Sequence, residues 1–164
     1  MPELHLIPLA VSATVCVVLA VAGNAWVGDS LKSWYPQLVK PRAQAPLWTF
    51  FVVGATVYLI EGIVLYRLLV HMPTPESKIV SVTALLAVMA YNEAWNYAFF
   101  GLRSTLAALV GIVGFLAPLV VLMTALFAYE PTSGWVMASY CAWVIYDVWW
   151  VYQLWRLNDA ADRR

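Results

Sequence analysis

Three carboxylates stand where an apolar chain has least reason to carry them. Glu61, Glu93 and Asp147 each fall inside a long hydrophobic stretch. A carboxylate at the centre of a bilayer costs on the order of 3 kcal/mol or more, so it normally faces a bundle interior and finds a partner. No Lys or Arg falls at the same depth to neutralise these three. Two chemistries follow. One is a site for a cation, an amine or a proton. The other is a hydrogen-bond clamp between helices, in which Tyr, Asn, Trp N–H or water holds the acids. The sequence leaves both open.

Helical phase groups other side chains with them. At about 100° per residue, Phe51, Gly54, Tyr58, Glu61 and Leu65 share one face of the second apolar stretch. Asn92, Trp95, Asn96 and Phe99 share a face of the third, and Tyr140, Trp143, Tyr146, Asp147 and Trp150 a face of the last. If these faces converge they enclose a pocket suited to a large, flat, apolar ligand with a few polar edges. The same stripes would equally serve as a helix-packing core. On the far side of the third stretch, Ala90, Ala94 and Ala98 repeat at four-residue spacing. Small residues at that spacing let helices approach closely, as a homodimer seam or as a contact inside the bundle.

Other chemistries find no residues. There is no HExxH, CxxC, P-loop or GxSxG pattern. His5 and His71 stand only at or beyond the ends of the apolar stretches, so no buried His is available as a haem axial ligand and no cofactor is expected. Cys16 and Cys141 sit in apolar runs and read as small buried side chains, so no disulfide framework is expected. The formal net charge is zero, which leaves no basic patch for nucleic acid.

The elements that must position these groups follow from composition. Of 164 residues, 63% are hydrophobic and 11% charged, with a mean hydropathy of +0.78. Soluble domains carry about 25% charged residues. The chain reads as an all-α membrane protein: one domain, residues 1–164, built as a five-helix transmembrane bundle with a long first loop. The spans are expected near 4–27, 47–70, 79–100, 105–129 and 134–155. No Lys or Arg precedes Lys32, so the first stretch reads as a retained helix rather than a signal peptide. The loop from Gly28 to Pro46 holds Pro36, Pro41 and Pro46, with Trp34, Tyr35 and Trp48 in or beside it, and is expected to be packed. Lys32, Lys40, Arg42, Arg103, Arg156, Arg163 and Arg164 would lie on one side of the membrane, and only Arg67 and Lys78 on the other. That bias predicts a cytoplasmic first loop and C-terminus. Trp26, Trp34, Trp48, Trp135 and Trp155 sit near span ends, as an interfacial belt would. The membrane would be the plasma membrane of a prokaryote or an organelle membrane of a eukaryote.

Several spaced motifs then resemble one family. Trp34-Tyr35 followed by Lys40-Pro41 is similar to W-Y-x-x-x-x-K-P, with Pro46, Trp48, Phe50, Tyr58 and Gly62 following in order. Asn92-x-x-Trp95-x-x-x-Phe99-Phe100-Gly101-Leu102-Arg103 is similar to N-x-x-W-x-x-x-F-F-G-x-R. Tyr140-x-x-Trp143 and Trp155-Arg156-Leu157-Asn158 complete the set. From Trp34 to Asn158 the chain resembles the TspO/MBR family of tryptophan-rich membrane proteins. The resemblance implies five spans and a pocket under the first loop for porphyrins, haem-related tetrapyrroles or sterols. It implies that Phe50, Tyr58, Asn92, Trp95 and Trp143 line it; phase adds Glu61, Tyr146 and Asp147. It also implies a membrane-embedded homodimer. A light-dependent porphyrin-degrading enzyme and a proton- or cation-linked transporter using the acids are the alternatives. Against the first, Gly54 stands where the family usually has a Trp. Glu61, Glu93 and Asp147 depart from it too, and acids in the pocket would favour a more polar or cationic ligand.

Overall fold

A backbone withdrawn from water must satisfy its own hydrogen bonds, and a helix does so within one segment. The computed structural model, which describes residues 4–162 and side chains as far as 159, is built of helices, with no strand among the described residues. Arg163 and Arg164, counted above for orientation, lie outside them. Five helices have 22 or more residues: α1 (Leu6–Val27), α3 (Leu47–His71), α4 (Pro75–Asn96), α5 (Thr105–Tyr129) and α6 (Pro131–Asp162). A four-residue helix, α2 (Ser30–Ser33), and a 3-10 turn, Tyr35–Gln37, lie in the first loop. By length and composition, α1, α3 and α5 are apolar enough to cross a membrane. α4 and α6 are as long but carry Asn92, Glu93 and Asn96, and Asp147 and Gln153, which dilute their apolar content.

Local chemistry sets the ends. Thr74 caps α4 reciprocally: its hydroxyl accepts from Ser77 N and its own N–H donates to the Ser77 hydroxyl, both at 3.2 Å. At its other end α4 loosens into a π turn, Tyr97–Gly101, and Arg103 then adopts φ +50° to turn the chain into α5. At the α5–α6 corner Glu130 accepts from Arg67 Nη2 and from Ser133 N, each at 2.6 Å. Burial pushes the Glu130 carboxyl up, but the Arg67 and Ser133 hydrogen bonds outweigh it and hold the pKa at about 2.

The long helices close a ring in the order α1, α3, α6, α5, α4, with α3 and α4 also touching across it. One end of the ring is solid, filled by Val64, Leu65, Leu68, Leu85, Val88, Met89, Leu122, Leu126 and Met137. The other end, under the first loop, is hollow. The outer surface is apolar, with Ile7, Val110 and Ile145 all exposed, and so broad a covering marks a surface made for contact with lipid or another protein.

The helices α1, α3 and α5 begin and end within a few residues of 4–27, 47–70 and 105–129. α4 begins earlier, at Pro75, and α6 is longer at both ends than 134–155. Its added C-terminal turns reach the first loop. That loop is packed, with Tyr35 5% exposed and Trp34 set edge-on against Phe99 at 5.2 Å. Trp34 is therefore a packing residue rather than part of an interfacial belt. Trp48, by contrast, is 65% exposed and suits that belt. Ala90 and Ala94 face outward, whereas Ala98 is half-buried against Gly111. The alanine repeat thus divides between an open face and an internal contact.

Candidate functional site

The hollow end holds a cavity of about 430 Å³, within the range of small-molecule sites. α3 contributes Phe50, Phe51, Gly54 and Tyr58, and α4 contributes Asn92, Glu93, Trp95 and Asn96. α6 adds Tyr140, Trp143, Asp147 and Trp150. The three faces grouped by phase therefore do converge. Of the eight residues expected at the site, Phe50, Tyr58, Asn92, Trp95, Trp143 and Asp147 line the cavity; Glu61 and Tyr146 do not.

Each exception has a local reason. Glu61 lies one turn past Tyr58, where the cavity gives way to the solid core, and is wholly buried. Tyr146 turns upward instead, and its hydroxyl accepts from Ala45 N at 2.8 Å. It belongs to the attachment of the loop. Phe99 likewise lies behind the wall, stacked on Trp95 with ring centroids 5.4 Å apart.

The aromatic walls are held in fixed attitudes. Trp95 Nε1 donates to the Ala108 carbonyl on α5 at 3.0 Å, which orients the indole. Phe50 meets Trp143 edge-on at 5.5 Å and Trp150 at 4.9 Å. Such ring pairs each add about 0.5–1.5 kcal/mol beyond their buried area. The loop forms the roof, with Leu31 and Tyr35 on its inner side. Trp150 Nε1 donates to Gln44 Oε1 at 3.1 Å, and Gln44 Nε2 donates to the Tyr35 hydroxyl at 3.0 Å. Burial raises the Tyr35 phenol above its ordinary pKa, against the opposing pull of that bond. Asn158 takes Val39 from both sides, accepting its N–H at 2.9 Å and donating to its carbonyl at 3.0 Å.

The acids are arranged unequally. Glu93 accepts a short hydrogen bond from the Tyr58 hydroxyl and another from Asn96 Nδ2 at 3.1 Å. Gly23 of α1 lies against the same carboxylate, and a Cβ there would run into it. Asp147 Oδ1 and both oxygens of Glu61 are buried without a hydrogen-bond partner. Among the described residues no Lys, Arg or His lines the cavity, and no group of His, Cys, Asp and Glu is placed to hold a metal ion.

Sequence reasoning placed neither α1 nor α5 in the wall. Ala20, Gly23, Asn24 and Val27 line it from α1, and Ile112 and Phe115 from α5. Glu93 was singled out as an acid but not as part of the wall. The available signals were Gly23, a small residue marking a close helix approach, and the three-residue spacing of Glu93 and Asn96, which puts them side by side on α4.

The sequence model of the TspO/MBR family matches residues 12–156. The tryptophan-rich protein TspO of Archaeoglobus fulgidus is 27% identical over 137 residues, covering 82% of this chain and 87% of that one. That of Chlorobaculum tepidum is 26% identical over 154 residues, 94% of this chain and 98% of its own. The translocator protein of Sus scrofa is 30% identical over 130 residues, 77% of this chain and 76% of its own.

Proposed function

The chain belongs to the TspO/MBR family, and from that premise we propose that it is a membrane binding protein and sensor for a large, flat, apolar ligand. The ligand class is a tetrapyrrole or a sterol-like molecule, held in the cavity between α1, α3, α4 and α6 under the first loop. The observation that carries this reading is the convergence of Phe50, Tyr58, Asn92, Trp95 and Trp143 on one hollow. Flat apolar rings gain most from rigid aromatic walls, and the few polar groups, Asn92 among them, fix the ligand's orientation. In this reading all five long helices cross the membrane, and α4 and α6 keep their polar residues turned inward. The first loop and the C-terminus face the cytoplasm, following the basic residues. The outward face of α4 at Ala90 and Ala94 serves a second copy of the chain.

The test is a titration of the detergent-solubilised protein with protoporphyrin and with haem, read as Trp fluorescence quenching and as a shift of the porphyrin absorption band. A sterol is then added as competitor. Saturable binding weakened by Trp143→Phe is expected. Absence of saturable binding by all three probes refutes the proposal.

A further inference from the structure

Glu61 is the most anomalous buried group in the molecule. It is 0% exposed, and neither carboxylate oxygen has a hydrogen-bond partner. Buried polar groups in folded proteins are almost always paired, so such an orphan requires an explanation. Its surroundings supply one. Glu61 lies within electrostatic range of Glu93, Tyr58 and Tyr140, and Tyr140 is also within range of Asp147. All four of those neighbours line the cavity. Asp147 presents a third unpartnered carboxyl oxygen, Oδ1. The partners Glu93 does have, Tyr58 and Asn96, are neutral donors.

Two carboxyls, Glu93 and Asp147, thus line the cavity with no basic side chain among its lining residues, and Glu61 is buried behind them. The rings of Phe50, Trp95, Phe115 and Trp143 line the same cavity. An aromatic enclosure attracts an organic cation through the negative faces of its rings, most strongly when the cation is desolvated. Unpaired carboxylates in a medium of low dielectric attract the same group far more strongly than they would in water. Acids and rings therefore select one ligand feature.

The geometry points to a cavity that takes a lipophilic organic cation, a flat apolar body carrying a protonated or quaternary nitrogen. Asp147 and Glu93 are the contacting carboxyls, and Glu61 lies one layer behind them. This rests on the reading of the cavity as a ligand site and not on the tetrapyrrole or sterol class named above.

The test compares two probes of the same shape that differ in permanent charge: N-methylacridinium and 9-methylanthracene. Each is titrated against the intact protein in a non-ionic detergent by Trp quenching, corrected for partition into protein-free micelles. The cation is expected to bind at least tenfold more tightly. That ratio should fall toward one in Asp147→Asn and in Glu93→Gln, and less far in Glu61→Gln. Equal or tighter binding of the neutral probe overturns the inference while leaving the cavity a ligand site. So does a ratio that survives in the Asp147→Asn, Glu93→Gln double variant. If neither probe binds, the inference fails, and the protoporphyrin and haem titration decides separately whether the cavity is a ligand site. The wild-type comparison decides the matter even where a variant does not fold.

Discussion

Gly54 offers a perturbation in which occupancy of the cavity and integrity of the fold move in opposite directions. It lines the cavity, and a Cβ built on it meets no atom within 4 Å. Gly54→Leu therefore projects a side chain into the space a ligand would fill. A fully buried Leu side chain covers apolar area worth about 1.5–3 kcal/mol. A ligand excluded from that patch of wall forgoes a similar amount, which at about 1.4 kcal/mol per decade is a 10- to 100-fold loss of affinity. The helix itself gains, because Gly inside a helix costs roughly 0.5–1 kcal/mol relative to a good helix former. The expected pair of results is weaker quenching by protoporphyrin and an unchanged or higher Tm by circular dichroism in the same detergent. General damage to the fold would lower both quantities. Affinity within twofold of wild type, in a protein that melts normally, would show that the ligand does not occupy this space, and the assignment of the cavity would fall.

A contrasting result is expected on the neighbouring helix α1: Gly23→Ala drives a Cβ into the Glu93 carboxylate and brings it 3.3 Å from Asn96 Nδ2, so Tm should drop by an amount reflecting about 1–3 kcal/mol of overpacking. Asn158→Ala removes both bonds to Val39, a loss of about 1–3 kcal/mol confined to the roof. Hydrogen exchange should quicken across residues 38–46 and stay unchanged in α5. Glu130 has a folded pKa of about 2 against an ordinary 4.5. Its contribution is complete above pH 4.5 and is lost as pH falls toward 2. Arg67→Gln removes the ion pair at 2.6 Å, and the acid limb of a Tm-against-pH curve should move upward; an unmoved limb would exclude that pair as its cause.

How far the cavity could be read from the chain depends on what periodicity records. A helix with a polar or aromatic stripe announces its inward face, and α3, α4 and α6 each carry one. Their convergence was legible for that reason. α1 is apolar nearly all round, since its outer side faces lipid and its inner side packs, so no stripe marks which way it turns. Ala20 and Gly23 consequently escaped notice, although Gly23 is what lets α1 close on Glu93. Phase also gives direction without depth. Tyr58 and Glu61 share a face, yet one turn of helix separates a group on the wall from one sealed beneath it. Tyr146 fails differently. Its ring packs 4.9 Å from Trp143, but its hydroxyl is claimed by Ala45 N, a partner 101 residues away in sequence that no local pattern encodes. The roof as a whole has this character. Its prolines predict stiffness, but the bonds that hold it to α6 join Ala45 to Tyr146, Gln44 to Trp150 and Val39 to Asn158, residues 101 to 119 positions apart in sequence. Tyr146 and Trp150 hold the loop from within the expected 134–155 stretch, and the turns of α6 past residue 155 carry Asn158 to Val39. One side of α6, rather than any motif within the loop, is therefore what seats the roof on the cavity.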